Sequence, residues 1–314
     1  MIKLFCTNND HDICEVAKIS ENTWIKLSAP TKEEIQIIAN ELNLEIDDIN
    51  AAIDPEEKTR IEIRDDYVLI IADIPVKRFY HNKEHYKTIP LGIILTQNNI
   101  VTVCSEDTEI LTEFHNNNIR GFSTKKRIKF VYQIMLNTSI LYQQALISIE
   151  KRRMAFEERI ENITDDFELI GLHGLESALV YIINSLRGNI SVLNRISHSN
   201  RFQQYPEDKE LLYDAMMESQ QAIEMAQIYR EIIDGTRELV SAIINSRLNN
   251  VMKQLTSITV LLSIPMVISG MYGMNVDSEW MPFAHTVHGF GLIGIITIII
   301  CIILMVILKR KKML

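Results

Sequence analysis

Tyr272-Gly273-Met274-Asn275 lies at the end of an uncharged run from Gln254 to Val276, and a second apolar run, Gly289 to Leu308, follows it. Each run has 20 residues or more without a formal charge. At about 1.5 Å per helical residue, either can cross roughly 30 Å of hydrocarbon. The pair is expected to form a transmembrane hairpin, 251–314 with its basic tail. Lys309-Arg310-Lys311-Lys312 follows the second run, Arg247 and Lys253 precede the first, and the loop between them has no Lys or Arg. The positive-inside rule then puts both ends in the cytoplasm and the loop outside, with the plasma membrane as the expected location. Met1 to Cys6 lacks the basic flank and long apolar core of a cleavable signal, so the polar part should stay on the side where it is made.

That polar part, about 250 residues, is long enough to bury its own core. The chain carries a net charge of −9. From Gln254 onward two acids face four bases, so residues 1–253 hold −11. An acidic surface argues against nucleic acid and suits cations or plain solubility. No glycine-rich phosphate loop suggests an ATPase, and no catalytic constellation suggests an enzyme. Cys6, Cys14, Cys104 and Cys301 show no disulfide spacing, which fits a reducing compartment. Cys6, His11 and Cys14 match no zinc template.

Residues 1–124 alternate short β-branched runs with charged helical ones and are expected to form an α/β domain. Trp24 to Leu27, Tyr67 to Ile74, Thr88 to Thr96 and Ile100 to Cys104 are expected as strands, the last two as a hairpin across Gln97-Asn98-Asn99. Thr31 to Leu42 reads as a helix capped by Thr31 with Glu34 at the capping-box position. Glu45 to Ala52 and Glu106 to Asn118 read as further helices. The acids between Glu45 and Asp66 could ligate metal, but a solvated helix-and-turn surface explains them as well. Residues 125–250 turn to long helical periodicity, a stalk with a break near Asn162 to Asp166. Its last helix, from Lys209, meets no strong breaker before Pro265. One long helix from the stalk through the membrane is the economical reading.

Along that helix Asn249, Met252, Thr256, Thr259, Ser263, Met266, Gly270 and Gly273 recur at alternating steps of three and four, a single stripe. The stripe is small, hydroxyl-bearing or flexible, which suits a pore; packing between membrane helices uses the same residue types. Two helices enclose no water path alone, so a channel requires a symmetric ring of copies. The second run, interrupted only by Thr297 and Cys301, reads as the lipid-facing partner. At the mouth, a ring of neutral Asn275 carboxamides can accept hydrogen bonds from the waters that Mg²⁺ holds tightly. Gly273 is expected to let the backbone turn sharply beside Asn275, with Tyr272 bracing the turn. Asp277 and Glu279 after the motif could concentrate cations, and His285 and His288 could recruit zinc or nickel.

An acidic α/β domain, a helical stalk, a hairpin, Gly273-Met274-Asn275 and a basic tail together resemble the CorA family of divalent-cation channels over nearly the whole chain. The resemblance implies a funnel-like homopentamer in the lipid bilayer and passive, potential-driven entry of Mg²⁺, with Co²⁺ or Ni²⁺ as further cargo. No cofactor is implied beyond Mg²⁺ itself, transported and regulatory. It also implies an Asn275 selectivity ring and narrow pore positions at Asn249, Met252, Leu255 and Gly270. Asp214 matches one acid of a regulatory site between subunits, whose partner carboxylate would fall within Asp73 to Glu84. Two other readings stay open: a zinc transporter of the ZntB type, and a membrane-tethered sensor or scaffold.

Overall fold

A computed structural model describes the chain except residues 9–11, 81–82, 160–165, 200–201, 203–204, 276, 278, 280, 284–285, 312 and 314; at 80, 83 and 166–169 it describes backbone alone. The chain divides into two compact units, Met1–Thr236 and Arg237–Leu314. The first is built on a sheet of β1 (Ile2–Thr7), β2 (Ile13–Glu15), β3 (Trp24–Ser28), β4 (Arg60–Ile63), β5 (Tyr67–Tyr80), β6 (Lys83–Thr96) and β7 (Ile100–Cys104). Their order is β2-β1-β3-β7-β6-β5-β4, antiparallel throughout except for the parallel β3 and β7.

Period-two alternation sends successive side chains to opposite faces, and both faces are covered. Ile25, Leu27, Leu69, Ile71 and Val101 pack with Ile35 and Ile38 of α1 (Lys32–Leu42) and Ile49 of α2 (Ile46–Ala51). On the other face Trp24, Val68, Ile70 and Ile93 pack with Phe114 of α3 (Glu109–His115), Phe130 and Ile134 of α4 (Arg127–Glu157), and Leu193 of α5 (Asp166–Ser197). A third cluster joins Tyr142, Leu146 and Ile149 of α4 to Leu179, Ile182 and Leu186 of α5 and to Ala222, Ala226 and Ile233 of α6 (Pro206–Tyr272). The small alanines let α6 lie close to its neighbours. α6 runs 67 residues without interruption, as the missing breakers imply.

The capping box of α1 is present: Thr31 Oγ1 accepts from the Glu34 amide at 3.3 Å, and Glu34 Oε2 accepts from the Thr31 amide at 2.8 Å. The β6–β7 hairpin also forms. The structure departs from expectation where pairing supplies what local composition withholds. β1, β2 and β4 are strands, and α3 is shorter than the acidic stretch suggested. β5 and β6 extend to 14 residues each, because polar Lys77 and Arg78 are held by register partners Tyr86 and His85. Glu84 near the hairpin end bonds Lys77 and accepts from Ser148 of α4 at 3.1 Å.

The solvated reading of residues 45–66 fails at Asp48. Its carboxylate is buried, accepts from Arg64 at 2.9 and 3.2 Å, and accepts from Tyr67 Oη at 2.6 Å. Burial, then that hydrogen bond, pushes the Tyr67 phenol up to about 12, so it stays a donor at neutral pH. Asp48 ties α2 to β5 and is not a free ligand.

Gly92 of β6 lies directly under Ala52: a Cβ at Gly92 would come within 2.3 Å of the Ala52 Cβ. Gly92→Ala is therefore expected to destabilise the first unit by about 1–3 kcal/mol, the usual cost of overpacking. Ala52→Gly in the same chain should recover most of it. Thermal unfolding of the two variants checks this; a Gly92→Ala chain as stable as wild type would mean the layers separate freely there.

Candidate functional site

From Gln254 to Tyr272 the buried and half-buried residues of α6 are Ser257, Leu261, Ile264, Pro265 and Ile268. Those of α7 (Gly289–Arg310) include Ile293, Thr297, Cys301, Leu304 and Leu308. Each set follows helical spacing, so each helix turns one stripe toward the other. Both helices are long and apolar enough to cross a membrane. Polar links mark the contact near its ends and in its middle. Tyr272 Oη donates to the Pro282 carbonyl at 2.6 Å, Cys301 Sγ lies 3.9 Å from the Leu261 carbonyl, and Ser257 Oγ shares its one hydrogen between its own Lys253 carbonyl at 2.8 Å and the Met313 carbonyl at 3.0 Å. Thr297 and Cys301 thus lie on the α6 side of α7, while most of its other residues are exposed.

The stripe singled out in the sequence lies elsewhere. Asn249, Met252, Thr256, Thr259, Ser263, Met266, Gly270 and Gly273 are all exposed, Met266 at 73%. At about 100° per residue they occupy the side of α6 turned away from α7. Packing within the hairpin therefore does not account for them. Leu255, 58% exposed, sits at the edge of this stripe. Leu262 and Val267 are also exposed, on flanks that a neighbouring helix or lipid would cover.

The hydroxyls on this face share one arrangement. Thr256 donates to the Met252 carbonyl at 2.8 Å, Thr259 to Leu255 at 2.8 Å and Ser263 to Thr259 at 2.7 Å. A hydroxyl has one hydrogen and two lone pairs, so each, having given its hydrogen to its own helix, presents only acceptors outward. Such a face receives hydrogen bonds from water and attracts cations. It offers an anion nothing.

α6 ends at Tyr272, where the Gly273 amide reaches the Ser269 carbonyl at 3.0 Å and the Met274 amide reaches Met271 at 3.4 Å. Met274 and Asn275 follow, exposed and outside the helix. Gly273 does not have positive φ, and a Cβ there would stand 3.4 Å from the Ser269 carbonyl, an ordinary contact. The expected need for a glycine turn is thus not met within one chain. Tyr272 does brace the segment, through Pro282. Asp277, Glu279 and His288 are exposed, while His285, like His11 near the N-terminus, lies outside the described residues.

In the first unit Asp214 is exposed on α6. Asp73 is half-buried and engaged: its carboxylate accepts from Ser185 Oγ at 2.6 Å, and the Asn189 carboxamide takes its backbone N–H and C=O at 2.9 and 2.8 Å. Asn189 does this two residues beyond the last β4 pairing, Arg60 opposite Ile71. Burial pushes the Asp73 carboxyl up, partly offset by the Ser185 hydrogen bond. Glu84, the other candidate, is held below the usual carboxylate range chiefly by Lys77. Among the described residues no group of three or more His, Cys, Asp or Glu is placed to hold a metal ion within one chain. The partners of Asp73 were not legible beforehand, since Ser185 and Asn189 lie more than 100 residues away.

Residues 20–310 match the family model described as CorA-like Mg²⁺ transporter protein. The cobalt/magnesium transport protein CorA of Methanocaldococcus jannaschii is 28% identical over 296 residues, covering 92% of this chain and 90% of that protein. The complete structure of the CorA magnesium transporter from the same organism aligns with a TM-score of 0.84 at 24% identity, covering 99% and 98% of the two chains. The cytoplasmic domain of ZntB from Vibrio parahaemolyticus aligns with a TM-score of 0.63 at 11% identity, covering 78% of this chain and 98% of that one, a likeness of fold alone.

The Asp73 environment has a testable sign. A carboxyl whose folded pKa is raised contributes stability that is fully present below its unfolded value and is lost as pH rises through the folded one. Asp73→Asn should therefore raise the thermal midpoint of the full chain at neutral pH, with the gain fading toward about pH 3–4, where the unfolded carboxyl is also neutral. A lower midpoint for Asp73→Asn at neutral pH, especially one that appears only with Mg²⁺ present, would show that the charge is needed there.

Proposed function

The chain belongs to the CorA-like Mg²⁺ transporter family, a family of membrane transporters and not of enzymes, and we propose that this divalent-cation transporter is a passive Mg²⁺ channel formed by a ring of copies, five as the family resemblance implies. The observation that carries the reading is the line of acceptor-presenting hydroxyls on the face of α6 turned away from α7, which ends at Gly273-Met274-Asn275. Placed around an axis, such faces would line a water-filled path with hydroxyl and carboxamide oxygens, flanked by Met252, Leu255 and Met266 at its narrower levels. Asn249 would lie at the inner end and Asn275 at the outer mouth.

Mg²⁺ parts with its waters reluctantly, so a neutral oxygen ring suits a hydrated ion better than a carboxylate cage does. Binding through water is weak enough to release. The basic residues Lys309, Arg310 and Lys311 at the end of α7, with Arg247 and Lys253 before the membrane part of α6, favour both ends on the cytoplasmic side of the plasma membrane. A potential of 100 mV then favours entry of a divalent ion by about 4.6 kcal/mol, without ATP. Co²⁺ and Ni²⁺ would share the path; a Zn²⁺ preference is the competing outcome. Asp214 would act, if it holds a regulatory ion, with a carboxylate from a neighbouring copy, as the family resemblance implies; Glu210 and Glu218, one turn away on either side, share its face of α6.

Flux into proteoliposomes with Mg²⁺, Co²⁺ and Zn²⁺ side by side tests this. Asn275→Ala is expected to lower Mg²⁺ flux by about tenfold or more, the equivalent of about 1.4 kcal/mol, with assembly intact. Gly273→Ala should fold, given the space around it, and also lose flux, because its cost would arise between copies. An inert hexaammine complex, whose N–H groups imitate first-shell water, should block wild-type entry. Wild-type flux in Asn275→Ala, or no block by the complex together with loss of flux in His285→Ala/His288→Ala, would overturn the hydrated-ion mouth and favour direct coordination, as for zinc. Absence of divalent flux altogether would leave the hairpin as an anchor.

A further inference from the structure

Pro265 lies inside the membrane part of α6. Proline has no backbone N–H, so the carbonyl four residues earlier, Leu261 O, loses its helical donor. Hydrocarbon supplies no replacement, and membrane helices re-satisfy such groups from neighbouring side chains. Here Cys301 Sγ of α7 lies 3.9 Å from that same Leu261 carbonyl, within reach of an S–H···O bond. The other polar side chain on this face of α7 is already engaged: Thr297 Oγ1 donates to its own Ile293 carbonyl at 2.8 Å. Leu261, Pro265 and Cys301 all lie on the half-buried α6–α7 contact, where water has little access.

We infer that the Cys301 thiol is a positioning residue: it donates to the Leu261 carbonyl that Pro265 leaves open, and so fixes the course of α6 through the turn carrying Ser263 and Met266. Those two residues lie on the opposite, exposed side of the same turn. A shift in the local bend would move them relative to the rest of the acceptor face, since proline is where a helix kinks most readily. The part of this inference that concerns ion flow rests on the conduction face proposed above. The thiol bond does not.

The test joins spectroscopy to a double-substitution cycle on the full chain in lipid. In an infrared difference spectrum of wild type minus Cys301→Ala, which cancels Cys6, Cys14 and Cys104, the S–H stretch should lie at the low frequency of a bonded thiol. In Pro265→Ala, which restores the backbone N–H, it should move up toward the free position. Mg²⁺ flux should fall about two- to fivefold in Cys301→Ala, the scale of a weak hydrogen bond, and be rescued by Cys301→Ser. In the Pro265→Ala background, Cys301→Ala should change flux no further. A free thiol band in wild type, unchanged flux in Cys301→Ala, or an equal effect of Cys301→Ala in both backgrounds would overturn the inference. Should Pro265→Ala fail to assemble, the wild-type band and the Ala/Ser pair at 301 still decide. If wild type carries no divalent ion, the conduction reading fails while the band still reports the bond.

Discussion

Hydrocarbon offers no partner to a peptide group, and the second unit is arranged around that constraint. α6 and α7 satisfy their backbones internally, and the hydroxyls of Thr256, Thr259, Ser263 and Thr297 return their hydrogens to their own helices. Where the internal ladder cannot reach, a side chain does: Tyr272 on Pro282, Cys301 beside Leu261, and Ser257 beside Met313, its hydrogen shared with its own Lys253 carbonyl. These links are confined to the α6–α7 contact and the loop beyond it. The contact is otherwise apolar, so the polar face of α6 is left on the outside of the hairpin. A face of acceptors is costly against lipid and useful against water, which is the physical ground for the proposed ring of copies.

The first unit meets the same requirement in water by covering both faces of one sheet. Its aromatic cluster, Trp24 with Phe114, Phe122 and Phe130 at centroid distances of 4.4–5.9 Å, locks β3 to the helices that follow. Trp24 Nε1 donates to Thr102 on the adjacent strand at 2.9 Å, so the buried indole keeps its donor satisfied. The carboxylates that charge makes tempting as ligands are mostly engaged in such work. Asp48 is gripped by Arg64 and Tyr67, Asp73 by Ser185, and Glu84 by Lys77. Asp214 differs, exposed on α6, and among the described residues it belongs to no group of three or more His, Cys, Asp or Glu placed to hold a metal.

Much of this was legible in the residues themselves. The capping box at Thr31, the unbroken course of α6 and the two membrane runs are local signals, set within a few residues, and they survive in the structure. The full length of β5 and β6, the strand at Arg60–Ile63 and the burial of Asp48 were not legible, because each depends on a partner far along the chain or across the sheet. The polar stripe of α6 could be read as a line, but not as facing away from α7. That required the packed face, Ser257 to Ile268, to be located first. Thr297 and Cys301, four residues apart, carried a signal for an inward face on α7; their apolar surroundings hid it.

Selectivity without charge is the last step. Carboxylates on the conduction face would hold a bare divalent ion strongly, and each such ion would have to be stripped of water on entry. The outward groups of the stripe are instead hydroxyl acceptors, a carboxamide and thioethers, and the described acids beyond Gln254, Asp277 and Glu279, follow Asn275 in sequence. Acids at that level can raise the local cation concentration over about a Debye length, roughly 8–10 Å, without binding tightly enough to trap the ion. In the proposed channel, attraction would be supplied outside the path and discrimination inside it, by hydrogen bonds whose donors are the ion's own waters. A neutral face can pass ions in sequence only if none of its levels is much stronger than the next. The even spacing of Thr256, Thr259 and Ser263, each with its hydrogen turned inward, meets that condition with three residues of nearly the same chemistry.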